Sequence, residues 1–380
     1  MALAPAPAGA QDRTIAEIVS FLLTNRSIVT DDFQRDEAAA LVTRDALARA
    51  LQIELATLPI SSSSAGFTYR FNPALGTRER TSDSFGPFFV ERALTAGAGR
   101  ASLGFSVRYA RFESLDGTNL RDGSLVTTAN TFTDEPSPFD LEALTLRLAT
   151  SSFTVFGSAG VTDRFDVGFA LPIVSLDLDG ERFNIFRGQS TLQARASASV
   201  VGLADIAVRA KYHVAGARGS GVTAGLEVRL PTGREEDLLG AGKAAVKGVL
   251  AASAEGPRLG AHVNVAYGVG GISDQIDYAA AVTAAVAPRF TLIGEVFGRS
   301  LDALGRLEAV ALPHPTIRDV NTIRLVAEEG ATRTAFLVAG FKWNVASAWL
   351  LTGNLVVPAT ERGLRAEVVP AVALDYAFGR

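Results

Sequence analysis

The sequence predicts an all-β membrane protein: a twelve-stranded antiparallel up-and-down transmembrane β-barrel with an α-helical N-terminal plug or periplasmic cap. Three observations carry this. In 204–231, Ile206, Val208, Ala210, Tyr212 and Val214 alternate with Asp205, Ala207, Arg209, Lys211 and His213. Val222, Ala224, Leu226, Val228 and Leu230 then alternate with Thr223, Gly225, Glu227 and Arg229. A period of two puts one set on each face of a strand, so one face is greasy and the other charged. Second, 48% of the 380 residues are hydrophobic, and mean hydropathy is +0.22. Yet the longest uncharged run, 343–360, contains Asn344, Ser347, Gly353, Asn354 and Pro358, so no segment reads as a transmembrane helix. Third, short and long connections between strands alternate along the chain, as an up-and-down barrel requires.

Residues 1–11 are rich in Ala and Pro, and Ala8-Gly9-Ala10 resembles a signal-cleavage site, so this piece reads as a residual signal-like tail. Residues 12–99 read as the plug or cap. Ile15, Ile18, Val19 and Leu22 are at helical spacing in 14–24. Asp31 or Asp32 is placed to cap a second helix running to about 55, with Leu41, Ala48, Leu51 and Leu55 as its apolar stripe. Pro59 and Ser61–Ser64 form a linker, and 67–71 and 85–89 are short aromatic extended pieces. This region is too small and polar for a core of its own.

The barrel occupies 100–380. Its expected strands are 100–112, 141–159, 165–179, 202–214, 222–231, 243–254, 259–268, 276–286, 290–299, 334–344, 348–357 and 364–378. The turns at 160–164, 215–221, 255–258, 287–289 and 345–347 are short; the connections at 113–140, 180–201, 232–242, 269–275, 300–333 and 358–363 are mostly long. A turn centred on Pro288 sets Asp277 opposite Arg299. One centred on Arg218 sets Arg209 opposite Glu227, and one centred on Ala346 sets Trp343 opposite Trp349. Phe165, Tyr212, Phe290, Trp343, Trp349, Tyr376 and Phe378 fall near the short-turn ends and form a membrane-interface girdle. The last strand, with Val368, Pro370, Val372, Leu374, Tyr376 and Phe378 outward, resembles the signal read by the barrel-assembly machinery, although Gly379 and Arg380 follow the final Phe.

Three pieces carry a family resemblance. They are Gly160-Val-Thr-Asp-Arg-Phe-Asp-Val-Gly-Phe-Ala-Leu-Pro172, Val201-Gly-Leu-Ala-Asp-Ile-Ala-Val-Arg-Ala-Lys-Tyr212, and Gly225-Leu-Glu-Val-Arg-Leu-Pro-Thr-Gly233 followed by Leu239-Gly-Ala-Gly242. They resemble the outer-membrane transporters grouped under the MetA pathway of phenol degradation. The resemblance implies a β-barrel and uptake of small, often aromatic or apolar compounds, with no catalytic residues to carry over. The helical segment 12–58 has no counterpart in it.

By strand parity the lumen collects Arg108, Arg147, Arg209, Lys211, Glu227, Arg229, Lys243, Lys247, Asp277, Glu295, Arg299, Arg365 and Glu367, with Asp166, Asp205, His213, His262, Lys342 and Asp375 beside them. Mixed signs suit either a polar pore or a charge network filling a narrow barrel, and argue against strong ion selectivity. No metal site is expected, because the three histidines lack clustered ligands. His262-Val-Asn264 has no Ser at strand spacing, so no catalytic set is assembled and no enzyme is expected. Gly240-Ala-Gly-Lys243 lacks the full phosphate-loop pattern, Asp177–Glu181 reads as a solvated hairpin loop, and Arg234–Asp237 as a wet external loop. With no Cys and a net charge of -4, disulfides and nucleic-acid binding are not expected, and no cofactor is implied. The expected partners are the outer-membrane bilayer, the assembly machinery and a small solute. The expected function is passive uptake of small hydrophobic or amphipathic compounds through an outer-membrane channel. The alternative is a structural or interaction protein whose loops or N-terminal helices bind a partner.

Overall fold

Strands with one apolar and one polar face close into a ring in lipid, because an open edge leaves backbone groups without partners. The computed structural model shows this closure. It describes residues 13–24, 36–56, 66, 69–72, 77–80, 83–217, 220–302 and 305–379. The tail at 1–11, the caps Asp31 and Asp32, the linker at Pro59 and 61–64, and Arg218 lie outside the described residues.

Twelve antiparallel strands form the wall. They are Ala101–Leu115, Asp140–Gly160, Phe165–Phe186, Gln189–Leu203 continued by Ile206–Ala217, Ser220–Leu230, Ala245–Glu255, Leu259–Gly270, Gln275–Ala287, Phe290–Leu301, Thr332–Ala346, Trp349–Pro358 and Val369–Phe378. The last strand closes on the first, with Ala371 opposite Arg108. Arg209 lies opposite Glu227, and Asp277 opposite Arg299, as expected, each beyond a bulge near the turn, at 222–223 and 285–287. Trp343 does not face Trp349. The turn lies at Ser347 and Ala348. With the bulge between Asn344 and Ala346 the strands pair about Ser347 rather than Ala346, so Trp343 meets Leu351 and Trp349 meets Ala346.

Three expected loops are largely strand. Phe165–Phe186 and Gln189–Leu203 pair up to a tight turn at Arg187 and Gly188, both at positive φ. Asp177–Glu181 is therefore the middle of a strand and not a hairpin loop. The 113–140 connection contains Leu125–Phe132, which pairs with Asp140–Gly160, and 300–333 contains the hairpin Leu307–Pro313 with Val320–Ala327. The expected strand 364–378 breaks at Glu367 and Val368 into Leu364–Ala366 and Val369–Phe378.

These extensions follow from a change of polarity along the wall. Outward residues of Phe165–Phe186 run Phe165, Val167, Phe169, Leu171 and Ile173, then turn to Ser175, Asp177, Asp179 and Glu181. Inward residues run the other way, from Asp166 and Gly168 to Val174, Leu176 and Leu178. The apolar stretch from Phe165 to Ile173 spans about 26 Å of strand at about 3.3 Å per residue, or about 20 Å of height at the usual tilt of about 40°, against about 25 Å for the apolar band of such barrels. Beyond it the wall is wet outside and dry inside, which is the polarity of a water-soluble domain.

Two helices fill that dry interior. Helix α1, Ile15–Thr24, opens with a reciprocal cap: Thr14 Oγ1 accepts from the Glu17 N–H at 3.2 Å, and the Thr14 N–H donates to Glu17 Oε2 at 3.0 Å. Helix α2, Glu37–Ala56, is capped by Asp36, whose Oδ1 accepts from the Ala39 N–H at 3.0 Å. Ile15, Ile18, Val19 and Leu22 of α1 pack with Leu47, Leu51 and Ile53 of α2 against Leu146, Leu148, Leu176 and Leu178 of the wall. The buried face of α2 differs from the expected stripe at one end: Leu41 is exposed, and Leu47 is fully buried. Residues 83–100 thread back along the inner wall at the short-turn end, irregular rather than extended.

Candidate functional site

Phe165, Tyr212, Phe290, Trp343, Trp349, Tyr376 and Phe378 lie at one depth, because cross-strand register pairs Phe165 with Tyr212, Phe290 with Trp343, and Trp349 with Tyr376. The rings of Trp349 and Tyr376 are 4.8 Å apart, and those of Tyr376 and Phe378 4.7 Å. Nearer the loop end, Tyr109, Tyr267 and Tyr278 also stand outward and exposed. Rings at both edges of an apolar belt mark a barrel that spans an outer membrane.

The lumen is arranged in layers. At the short-turn end, segment 83–100 is fastened to the wall by buried polar contacts. Arg92 makes a bidentate ion pair with Glu255, both side chains fully buried. Glu295 accepts from the N–H groups of Phe88, Phe89 and Val90. Lys342 donates to Pro87 O at 2.8 Å, and Asp166 Oδ2 accepts from Ala96 N–H at 2.8 Å. Lys211 donates to the carbonyls of Arg92 and Leu94 at 3.2 and 3.1 Å. His262 Nδ1 is 2.9 Å from Ser253 Oγ, which also accepts from Ala93 N–H. Strand spacing places no Ser beside His262; the fold supplies Ser253 as its partner across adjacent strands, which spacing along one strand cannot show. The group is buried and holds the floor segment.

Above the floor lies a cavity of about 150 Å³. Arg209, Lys211, Arg229, Lys247 and Arg299 border it with Glu91, Glu227 and Asp277, and Phe89, Phe297 and Phe336 supply apolar wall. Glu227 lies 2.7 Å from Arg209, 2.9 Å from Arg229 and 3.8 Å from Lys247, and Lys247 reaches Asp277 at 2.6 Å. Arg108 faces inward with its guanidinium 5.4 Å from the centre of the Phe89 ring. Signs are interleaved, so no ring of one charge forms.

Four candidates lie elsewhere. Arg147 points outward above the membrane and pairs with Asp179 at 3.4 Å, because the wall has already changed polarity there. Arg365 lies on the face opposite Leu364 and Ala366, which pack on the plug, and Glu367 is exposed; the break at 367–368 resets strand parity. Lys243 precedes its strand and is exposed.

The plug layer is held by arginines of the wall and hairpins. Arg182 donates to Leu22 O at 2.9 Å, Arg324 meets Asp36 at 3.1 Å, and Arg299 meets Glu54 at 2.6 Å. Burial pushes the Glu54 carboxyl above its ordinary pKa, with Arg299 pulling the other way.

The motif Leu230-Pro-Thr-Gly233 with Leu239-Gly-Ala-Gly242 is a clamp. Thr232 Oγ1 donates to Ala204 O at 2.8 Å and accepts from Ile206 N–H at 3.0 Å, bridging the interruption in the wall strand. Asp205 accepts from Gly233 N–H at 3.0 Å and Ala241 N–H at 2.9 Å. A Cβ on Gly233 would sit 2.5 Å from Leu239 O, so the two arms pack backbone to backbone. The loop thus folds inward, and Asp237, expected in a wet loop, is buried against α1 with Leu238 and Leu239.

No family model and no curated protein matches the chain. Among solved structures, an outer membrane channel from Pseudomonas putida F1 is similar at 13% identity and a TM-score of 0.46, covering 75% of this chain and 98% of that one. The monoaromatic hydrocarbon channel CymD gives 8% and 0.29, covering 75% and 90%. A Pseudomonas aeruginosa FadL homologue gives 9% and 0.33, covering 73% and 89%. Likenesses of this size concern the fold alone.

Proposed function

We propose that the protein is an outer-membrane channel for passive uptake of small hydrophobic or amphipathic solutes, as the resemblance to the MetA-pathway transporters also implies, and that it carries no catalytic step and no cofactor. The observation supporting this is the cavity inside a closed wall, where interleaved charges face three phenylalanine rings. Such a lining accepts a molecule with one polar end and an apolar body, and rejects neither sign of charge strongly.

Planar-bilayer conductance and liposome swelling test the reading. The full chain, or the chain without residues 12–64, admits solute if it holds. No entry by either protein removes it. The layered obstruction of the lumen favours a second reading, in which the barrel anchors and the loops or helices at its mouth bind a partner. Pull-downs with 113–140, 300–333 or 12–64 deleted address that reading, and retained binding counts against the deleted segment.

A further inference from the structure

The helices occupy the loop end, but no helical residue borders the lumen cavity. A smaller cavity of about 30 Å³ lies nearer the loop end, between 241–246 and 268–275. Glu227, Arg229, Lys247 and Gln275 border both cavities. Of these two, Ala56, the last residue of α2, borders only the smaller one; with Leu55 it also borders a separate cavity of about 50 Å³ beside Leu238 and Leu239, so the helix ends between these two spaces rather than across the lumen cavity. The rim of the smaller cavity is a sharp turn. Gly270 and Gly271 are both at positive φ, and the Gly271 N–H donates to Ala244 O at 2.9 Å.

We infer that solute passes the plug on this side. It enters the vestibule under the 270–275 turn, crosses a charged collar formed by Glu227, Arg229, Lys247 and Gln275, and reaches the lumen cavity without displacement of either helix. This rests on the channel reading and adds its route and its constriction. The collar sets the class of solute. Glu227 is already held by cations, and Lys247 by Asp277, so the collar's charges are engaged in pairs and it offers hydrogen bonds of both kinds. A cavity of about 150 Å³ holds a molecule the size of benzene. The route therefore takes small uncharged amphiphiles with one hydrogen-bonding group.

The chain has no cysteine, so one introduced thiol reports alone. Ser273→Cys places it in the vestibule, and Leu41→Cys on the exposed face of α2. Each full-length variant is recorded in potassium chloride while a positively charged methanethiosulfonate is added from the loop side. Modification is expected to lower the Ser273→Cys current about twofold or more and to leave the Leu41→Cys current unchanged, because only a charge placed in the conducting path impedes it. Gln275→Glu, recorded without reagent, is expected to move the reversal potential toward cation selectivity. The reverse pattern of block, or an unmoved reversal potential, overturns the route. A silent full chain beside a conducting chain without 12–64 overturns it too, while leaving the channel reading standing. Silence in both removes the channel reading and the route together.

Discussion

Replacing Asp205 by Ala tests how the mouth is held. Asp205 is 5% exposed, and its two oxygens accept from the Gly233 and Ala241 N–H groups at 3.0 and 2.9 Å. Hydrogen bonds to a charged group contribute about 1.5–3 kcal/mol each. Water can reach part of the released backbone, so the two together are worth about 3 kcal/mol rather than the full sum. At 1.4 kcal/mol per decade, loop opening rises roughly 100-fold. The loop carries Arg234, exposed and 2.6 Å from Asp237, so trypsin reads its opening directly. Asp205→Ala is expected to be cut there roughly 100-fold faster in the regime where cleavage follows the open population, with the barrel intact. Asp205→Asn keeps one acceptor and falls between. Ala241 borders the vestibule, so the same variant is expected to conduct more often. Unchanged cleavage and unchanged conductance would refute the clamp.

Other outcomes follow from the same contacts. Leu51→Ala, a fully buried residue of α2, is expected to cost about 2–5 kcal/mol, read as faster hydrogen exchange in both helices. Arg92→Leu leaves Glu255 buried without its ion-pair partner and is expected to cost about 3–5 kcal/mol, while Arg92→Leu with Glu255→Leu recovers much of it in thermal unfolding. Because burial raises the Glu54 pKa, between the ordinary and the shifted pKa the folded plug binds a proton that the unfolded chain has released. Plug stability is therefore full below the ordinary carboxylate pKa, falls as pH rises through the shifted value, and loses this slope in Glu54→Gln. Trp343 and Trp349, the two tryptophans of the chain, are both exposed on the girdle, so lipids brominated near the headgroup are expected to quench fluorescence more than lipids brominated at the chain ends.

The wall was legible because lipid and water impose a period of two, and because short turns leave little freedom of register. That is why Arg209 met Glu227 and Asp277 met Arg299 on paper. The same arithmetic fails when the assumed centre is one residue off, as at Trp343, where the strands pair about Ser347 and not Ala346. Arg147 and 180–201 were misread for a different reason: parity gives a face, and only depth says whether that face meets lipid or water. Arg365 and Glu367 follow a break that alternation does not reveal. The floor contacts, such as Arg92 with Glu255, join residues 163 apart, and no local pattern encodes them. The resemblance motif marked a place of importance, but its role as a clamp on the 204–205 interruption needed the fold.

The central claim is that one wall changes polarity along its length, lipid-facing around a wet lumen below and water-facing around a helical core above. Nitroxides at Phe169, Ile173, Asp177 and Glu181 of the reconstituted protein measure this directly. The account predicts oxygen accessibility without access of a water-soluble nickel complex at 169 and 173, and the opposite at 177 and 181. Nickel access at 169, or lipid-like behaviour at 177 and 181, would contradict it.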